Sequence, residues 1–243
     1  MALAFELINK GYAVKGSATS NKNFDKLKSK LVTPFIIDIK QRENNTSNFL
    51  VSDILIISIT SKSIDDFKNF IFQIENSKVR KVILISSTSV YPNSNGIITE
   101  DSSIKISALT EIEHLFRNNK RFQSTIIRFG GLFGYDRQPG NFIKVGKKIE
   151  NPEGYINFIH RDDCNQIIEK IIENNTWNKT LNACADSHPK RRDFYKKEFK
   201  KTGRPEPVFN EKSLNAYKIV SSEKLKTLLD YKFKYSRWYC NFG

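Results

Sequence analysis

The sequence predicts an α/β protein built around a parallel sheet. Clusters rich in Ile and Val recur along the chain and alternate with segments of helical periodicity, the pattern of βαβ units whose strands are covered on both faces. The longest apolar runs, Ile54-Leu55-Ile56-Ile57 and Val82-Ile83-Leu84-Ile85, suit buried strands and fall far short of the roughly 18 to 20 residues needed to span a bilayer. A length of 243 residues, 39% hydrophobic and 27% charged, excludes a disordered or collagen-like chain and leaves room for one large domain with a small second lobe.

The elements follow in order. Ala2 to Asn9 reads as a helix presenting Leu3, Phe5, Leu7 and Ile8 for packing, closed by Lys10-Gly11 as its C-terminal cap. Strands are expected at Tyr12–Gly16, Thr33–Asp38, Ile54–Ile59, Lys81–Ser86, Ser124–Phe129 and Thr180–Ala183. Helices are expected at Lys22–Leu31, Ile64–Glu75, Ser107–Asn118 and Arg161–Glu173. From Ser187 the pattern changes to a basic helix, a break at Gly203-Arg204-Pro205-Glu206-Pro207, and a last helix near Ser221–Leu229. Residues 1–183 are expected to form the core, with part of a second lobe inserted after residue 134, and residues 184–243 a small C-terminal lobe. No internal repeat and no low-complexity linker occurs.

Charge and cysteine content narrow the function classes. Forty basic against 26 acidic side chains give a net charge of +14, which invites a nucleic-acid or anionic-membrane partner. Against that, the lysines are spread over the whole length, and the densest stretch, Lys190 to Lys201, is broken by Asp193 and Glu198. The three cysteines, Cys164, Cys184 and Cys240, and a start without a basic segment before an apolar one point to a cytoplasmic protein with reduced thiols. His160, Cys164, Cys184 and His188 have spacings that resemble a zinc set only superficially, because Cys184 lies in a strand-like apolar run and His188 precedes Pro189. No metal is expected.

A helix running through Gly11 into a strand is the second half of a mononucleotide-binding βαβ unit. The first half would supply a strand and a G-x-G-x-x-G turn whose amides approach a pyrophosphate, yet none of the eleven glycines forms a G-x-G. In sheet order 3-2-1-4-5-6 the missing strand lies between the second and fourth, so its absence exposes two inner edges. A start codon placed too far downstream, or a rearranged sheet, is expected in preference to an open gap.

Several motifs then resemble one family. Leu84-Ile85-Ser86-Ser87-Thr88-Ser89-Val90-Tyr91, Thr99-Glu100-Asp101, Ile127-Arg128-Phe129-Gly130-Gly131-Leu132-Phe133-Gly134 and Asn157-Phe158-Ile159-His160-Arg161-Asp162-Asp163 are similar to the extended short-chain dehydrogenase/reductase superfamily. More narrowly they resemble its atypical NAD(P)-dependent epimerase/dehydratase-like branch, the YeeZ-like group, as do Asn182 to Pro189, Arg192 to Tyr195 and Ser221 to Leu225. The order and spacing of the motifs carry the resemblance over nearly the whole chain.

That resemblance implies a Rossmann-like, doubly wound sheet with a small C-terminal substrate lobe and a dinucleotide across the strand ends. Ser17, Ala18, Thr19, Ser20 and Lys22 would meet the adenosine ribose; with no Asp or Glu there to bind a ribose 2′-hydroxyl, hydroxyls and a lysine favour NADP over NAD. As bare sequence these residues are also an ordinary polar loop. Asp38 and Ile39 would flank the adenine, Ser58 and Ile59 the middle of the cofactor together with Ser86, and Gly130 and Gly131 would let the backbone approach the nicotinamide or simply form a turn.

Ser87 matches the family's catalytic Ser/Thr, which hydrogen-bonds the substrate's reacting oxygen, although a strand-end hydroxyl can equally satisfy backbone. The family's Tyr-x-x-x-Lys pair is absent, its positions falling near Lys105 and Leu109. Tyr91 stands in as a proton donor or as packing, while Asn141 and His160 fall where the family lines its substrate pocket. Asp162 or Asp163 caps a helix. Two readings follow: an NAD(P)-dependent oxidoreductase or epimerase-like enzyme acting on a small polar or nucleotide-sugar substrate, or a noncatalytic dinucleotide-binding protein. The oligomeric state and the substrate stay open.

Overall fold

The computed structural model describes residues 2–41, 46–144 and 146–236. Cys240 lies outside them. Ten strands and seven α-helices are described: α1 (Ala2–Asn9), β1 (Lys15–Ala18), α2 (Phe24–Lys28), β2 (Thr33–Ile36), β3 (Ile54–Ile57), α3 (Ile64–Glu75), β4 (Lys81–Ser87), β5 (Gly96–Ile98), α4 (Ala108–Arg117), β6 (Gln123–Phe129), β7 (Gly131–Phe133), β8 (Phe158–His160), α5 (Arg161–Glu173), β9 (Thr180–Ala183), α6 (Arg191–Lys201), β10 (Lys218–Val220) and α7 (Glu223–Leu229). The α/β class is as expected. The chain forms two compact units, one of residues 1–85, 106–126 and 171–179, the other of residues 86–105, 127–170 and 180–243.

In the first unit α1 ends as the sequence implies. The Gly11 amide bonds the Ile8 carbonyl and the Tyr12 amide the Leu7 carbonyl, with Gly11 at φ +87°, a Schellman closure that needs a residue free to adopt the left-handed conformation. The second helix is shorter than Lys22–Leu31. It opens as a 3-10 turn at Asn21–Asn23 and its α-helical part stops at Lys28. Leu31 then takes φ +60° while the Leu31 and Val32 amides bond the carbonyls of Lys28 and Leu27, the same closure made without glycine.

β1 pairs in parallel with β2 in the register Lys15↔Thr33 to Ala18↔Ile36. It starts later than Tyr12 because the residues after the Schellman turn lie outside that register. β3 pairs in parallel with β4, and the four-stranded sheet runs β3-β4-β6-β9. Among the described residues no hydrogen-bonded pairing joins β1 to β3. Phe35 and Ile37 nevertheless pack in the same cluster as Leu55 and Ile57.

That cluster is the core of the first unit. Phe67, Phe70, Ile71 and Ile74 of α3 and Ile112 and Phe116 of α4 meet Leu55, Ile57, Val82, Leu84 and Ile126 from the strands. Val82 and Leu84 face the cluster and Ile83, on the opposite side of the pleat, is buried as well. Burial on both faces explains why the strand reads as an unbroken apolar run. Both helices are capped by side chains: the Ser63 hydroxyl accepts from the Asp66 amide, and Ser107 and Thr110 form a reciprocal capping box.

The second unit contains two pairs of three-residue strands that the sequence did not suggest, β5 with β10 and β7 with β8, both parallel. Gly131 therefore lies in a strand, where a Cβ would come within 2.3 Å of the Phe158 ring. A Cβ on Gly130 would sit 2.7 Å from both the Asn157 carbonyl oxygen and Cys184 Sγ. Close packing accounts for both glycines. α6 turns Phe194, Tyr195 and Phe199 onto Ile149 and Ile156, and the basic side of that helix stays outside the cluster.

Candidate active site

In open parallel sheets ligands bind beyond the carboxyl ends of the strands. In the first unit Ser17 and Ala18 close β1, with Thr19, Ser20 and Lys22 following; Asp38 and Ile39 follow β2, and Ser58 and Ile59 follow β3. Ser17, Thr19, Ser20, Lys22 and Ser58 are exposed, as is Ile59, while Ile39 is buried. Asp38 Oδ1 accepts from the Lys40 amide at 3.1 Å, the strand-end turn that its sequence position also suggested. Residues 17–22 thus offer exposed hydroxyls and the Lys22 ammonium, with no carboxylate among them. No glycine turn opening a helix occurs among the described residues, so the pyrophosphate has no such cradle there.

The second unit gathers the remaining candidates. β4 ends at Ser87, whose hydroxyl accepts from the Ser89 amide at 3.1 Å and caps the 3-10 turn Thr88–Val90. A hydroxyl that accepts from an amide still has its own O–H to donate. Ser86, one residue earlier, is buried.

Tyr91 is 0% exposed. Its hydroxyl accepts from Arg128 Nη1 at 2.7 Å and donates to Asn182 Oδ1 at 2.8 Å, and the Asn182 amide in turn bonds Glu100 Oε1 at 2.6 Å. Burial pushes the phenol above its usual value, against the pull of the Arg128 guanidinium. The Tyr91 hydroxyl is thus hydrogen-bonded on both sides within the unit. Arg128 and Asn182, neither singled out for chemistry by the sequence, are the partners that hold it, and Glu100 holds Asn182. A buried arginine inside an apolar run was the available signal.

His160 is enclosed too. Its ring centroid lies 3.8 Å from that of Tyr235, 5.1 Å from Phe133 and 5.7 Å from Tyr135. Nδ1 accepts from the Asp162 amide at 3.2 Å, and burial lowers the imidazole pKa despite the nearby carboxylates Asp162 and Asp163, so the ring is neutral at pH 7. His160, expected from the sequence to line a substrate pocket, packs among the rings of Phe133, Tyr135 and Tyr235. Asn141, its companion in that expectation, is the exposed last residue of a 3-10 turn whose Pro139 and Gly140 are buried.

Asp162 and Asp163 lie in the first turn of α5, where carboxylates complement the helix dipole. Each does more than that. Asp162 accepts from the hydroxyls of Tyr135 at 2.6 Å and Tyr235 at 3.0 Å, and that bond pushes the Tyr135 phenol up to about 12. Asp163, buried, accepts from the Tyr231 hydroxyl and the amides of Lys234 and Tyr235, tying down residues 231–235. Burial also pushes the Cys184 thiol up to about 12 and the Cys164 thiol well above its ordinary value, so neither is a nucleophile at pH 7.

No protein-family model matches the chain. Protein YeeZ of Escherichia coli (strain K12) is 23% identical over 253 residues, spanning 97% of this chain and 92% of that protein. A conserved protein of unknown function from Silicibacter pomeroyi has a solved structure that superposes with TM-score 0.81 at 18% identity, over 97% of this chain and 90% of its own. A UDP-glucuronic acid 4-epimerase from Bacillus cereus, solved with UDP-glucuronic acid and NAD, gives TM-score 0.77 at 20% identity over 96% and 90% of the two chains. A short-chain dehydrogenase/reductase superfamily protein from Agrobacterium tumefaciens, solved with bound NAD, gives 0.78 at 14% over 96% and 89%. The chain has the Rossmann-type fold of NAD-dependent epimerase/dehydratase and short-chain dehydrogenase/reductase proteins, and over almost its whole length it is similar to YeeZ.

Proposed function

We propose that the chain binds NADP and acts as an oxidoreductase or epimerase-like protein on a small polar or nucleotide-sugar ligand. The observation that carries the reading is the exposed set Ser17, Thr19, Ser20 and Lys22 at the carboxyl end of β1, with no carboxylate in it. Hydroxyls and an ammonium suit a ribose 2′-phosphate, whereas a ribose 2′-hydroxyl calls for an acidic acceptor. Solved neighbours bind NAD with UDP-glucuronic acid or UDP-glucose, which supports a nucleotide-sugar-sized ligand.

Asp38 and Ile39 flank the adenine in this reading, and Ser58, Ile59 and Ser86 the middle of the cofactor. Bound NADP supplies the hydride acceptor. Ser87 donates its O–H to the ligand's reacting oxygen, a role that its bond from the Ser89 amide leaves open. Tyr91 acts by packing. Gly130 and Gly131 let chain segments approach closely around the carboxyl end of β6.

A noncatalytic dinucleotide-binding protein is the second reading. It is favoured by the missing Tyr-x-x-x-Lys pair and by the Tyr91 hydroxyl being committed to Arg128 and Asn182. Turnover separates the two. With NADP and a panel of UDP-sugars, a catalytic protein shows absorbance change at 340 nm or epimerised product, and Ser87→Ala lowers kcat by about 100-fold. Cofactor binding without turnover of any sugar, unaltered by Ser87→Ala, gives the noncatalytic reading.

A further inference from the structure

The carboxyl end of β4 carries a second chemical feature. Lys218 opens β10, which pairs with β5 in the register Lys218↔Gly96, and its ammonium donates to the Tyr91 carbonyl at 2.6 Å. The Lys105 amide bonds the Val90 carbonyl at 2.8 Å. Two lysines far apart in sequence are thereby anchored on adjacent residues, three and four positions after Ser87. Lys218 is half-buried and Lys105 is exposed.

The charges around Lys218 are lopsided. Its ionisable neighbours are Lys105 and the Cys184 thiol, and burial together with the Lys105 charge lowers its pKa to about 8. Cys184 is a neutral thiol at that pH, since burial holds it far above. Glu100 is engaged by the Asn182 amide on the Tyr91 hydroxyl side. No carboxylate among the described residues bonds the Lys218 ammonium, which spends one of its three donors on Tyr91. A desolvated ammonium beside a like charge gains most from an anion.

We propose that Lys218 and Lys105 form an anion subsite at the carboxyl end of β4, which takes a carboxylate or phosphate group of the ligand bound there. The inference rests on the reading of that strand end as the ligand site, and it narrows the ligand to an anionic one. It also gives Lys105, which stands where the resemblance would put a tyrosine, a binding role in place of proton transfer. Lys218 is a binding residue, held in place by the β5–β10 pairing and by Asn157 Nδ2, which donates to the Lys218 carbonyl at 2.9 Å.

Competitive acetylation of the whole chain with limiting acetic anhydride, read by peptide mass spectrometry, tests this without a variant. At pH 8 Lys218, its pKa lowered to about 8, is expected to acetylate, and inorganic phosphate at matched ionic strength to slow it by about fivefold. Glucuronate in a parallel arm separates the sources: protection by phosphate alone assigns a phosphate subsite, by glucuronate alone a carboxylate subsite, and by both a general anion subsite. No protection in either arm overturns the proposal. Lys105→Ala, an exposed change, is expected to weaken protection of Lys218 by about threefold; unchanged protection overturns the pairing of the two lysines. NADPH titrated into the same sample reports on the cofactor separately, so failure of the dinucleotide reading is distinguishable from failure of the subsite.

Discussion

Tyr91 has its hydroxyl bonded to both Arg128 and Asn182 inside the second unit. Removing its hydroxyl in Tyr91→Phe leaves Arg128 Nη1 and Asn182 Oδ1 without that partner in a buried setting, and a buried polar group left unpaired costs about 1 to 3 kcal/mol. Urea denaturation is expected to show that loss, while any turnover measured below the melting range keeps its pH profile; a profile that loses its alkaline limb would instead make Tyr91 a proton donor. Gly130→Ala is expected to cost about 1 to 3 kcal/mol by the same measurement, because the new Cβ meets backbone at Asn157 as well as Cys184. His188 sets a pH dependence. It is half-buried with Nδ1 at 3.2 Å from the Ile156 carbonyl, and desolvation lowers its pKa below the value of the unfolded chain. The unfolded state then binds the proton more readily, so stability falls as pH drops through the ordinary histidine range near 6.5 toward the folded value, and is flat above it. His188→Gln is expected to reduce this slope in a series of denaturation curves between pH 5 and pH 8, roughly the range where histidine titrates, and to leave the part that His160, whose pKa burial also lowers, contributes with the same sign; a slope that survives unchanged assigns all of it elsewhere.

At the scale of elements, helix ends decide several boundaries. Ser107→Ala removes the capping box of α4 and is expected to cost about 1 kcal/mol in thermal or chemical denaturation, whereas Thr110→Ser, which keeps a hydroxyl at the same position, is expected to retain most of it. The long elements were legible because their residues carry their own signal. α3, with Phe67, Phe70, Ile71 and Ile74 on one face, runs from Ile64 to Glu75 as its periodicity indicates. α5 and β9 likewise keep the bounds read from sequence. α2 was overextended because Leu31, a good helix former, takes the left-handed closure instead. β5, β7, β8 and β10 were not legible: three residues give no alternation to count, and each exists only through a partner distant in sequence, as Gly96–Ile98 does through Lys218–Val220. The site divides along the same line. Strand-end hydroxyls follow from strand positions, but the burial of Tyr91 and His160, and the convergence of Lys218 on Tyr91, depend on long-range pairing that no local pattern encodes.

For the whole molecule, the two proposals call for anions: the 2′-phosphate of NADP for the hydroxyls and Lys22, and an anionic group of the ligand for Lys105 and Lys218. The net charge of +14 adds long-range attraction for such ligands, and affinity is expected to fall as salt rises and the Debye length shortens. The edges of β1 and β3 that no described strand joins mark where the fold departs from a continuous sheet. The most direct test of the central claim is a calorimetric titration of the protein with NADPH and with NADH, repeated on Lys22→Ala. Binding of NADPH about tenfold tighter than NADH, with the preference lost in Lys22→Ala, is the predicted result. Failure of the protein to bind either nucleotide would contradict it.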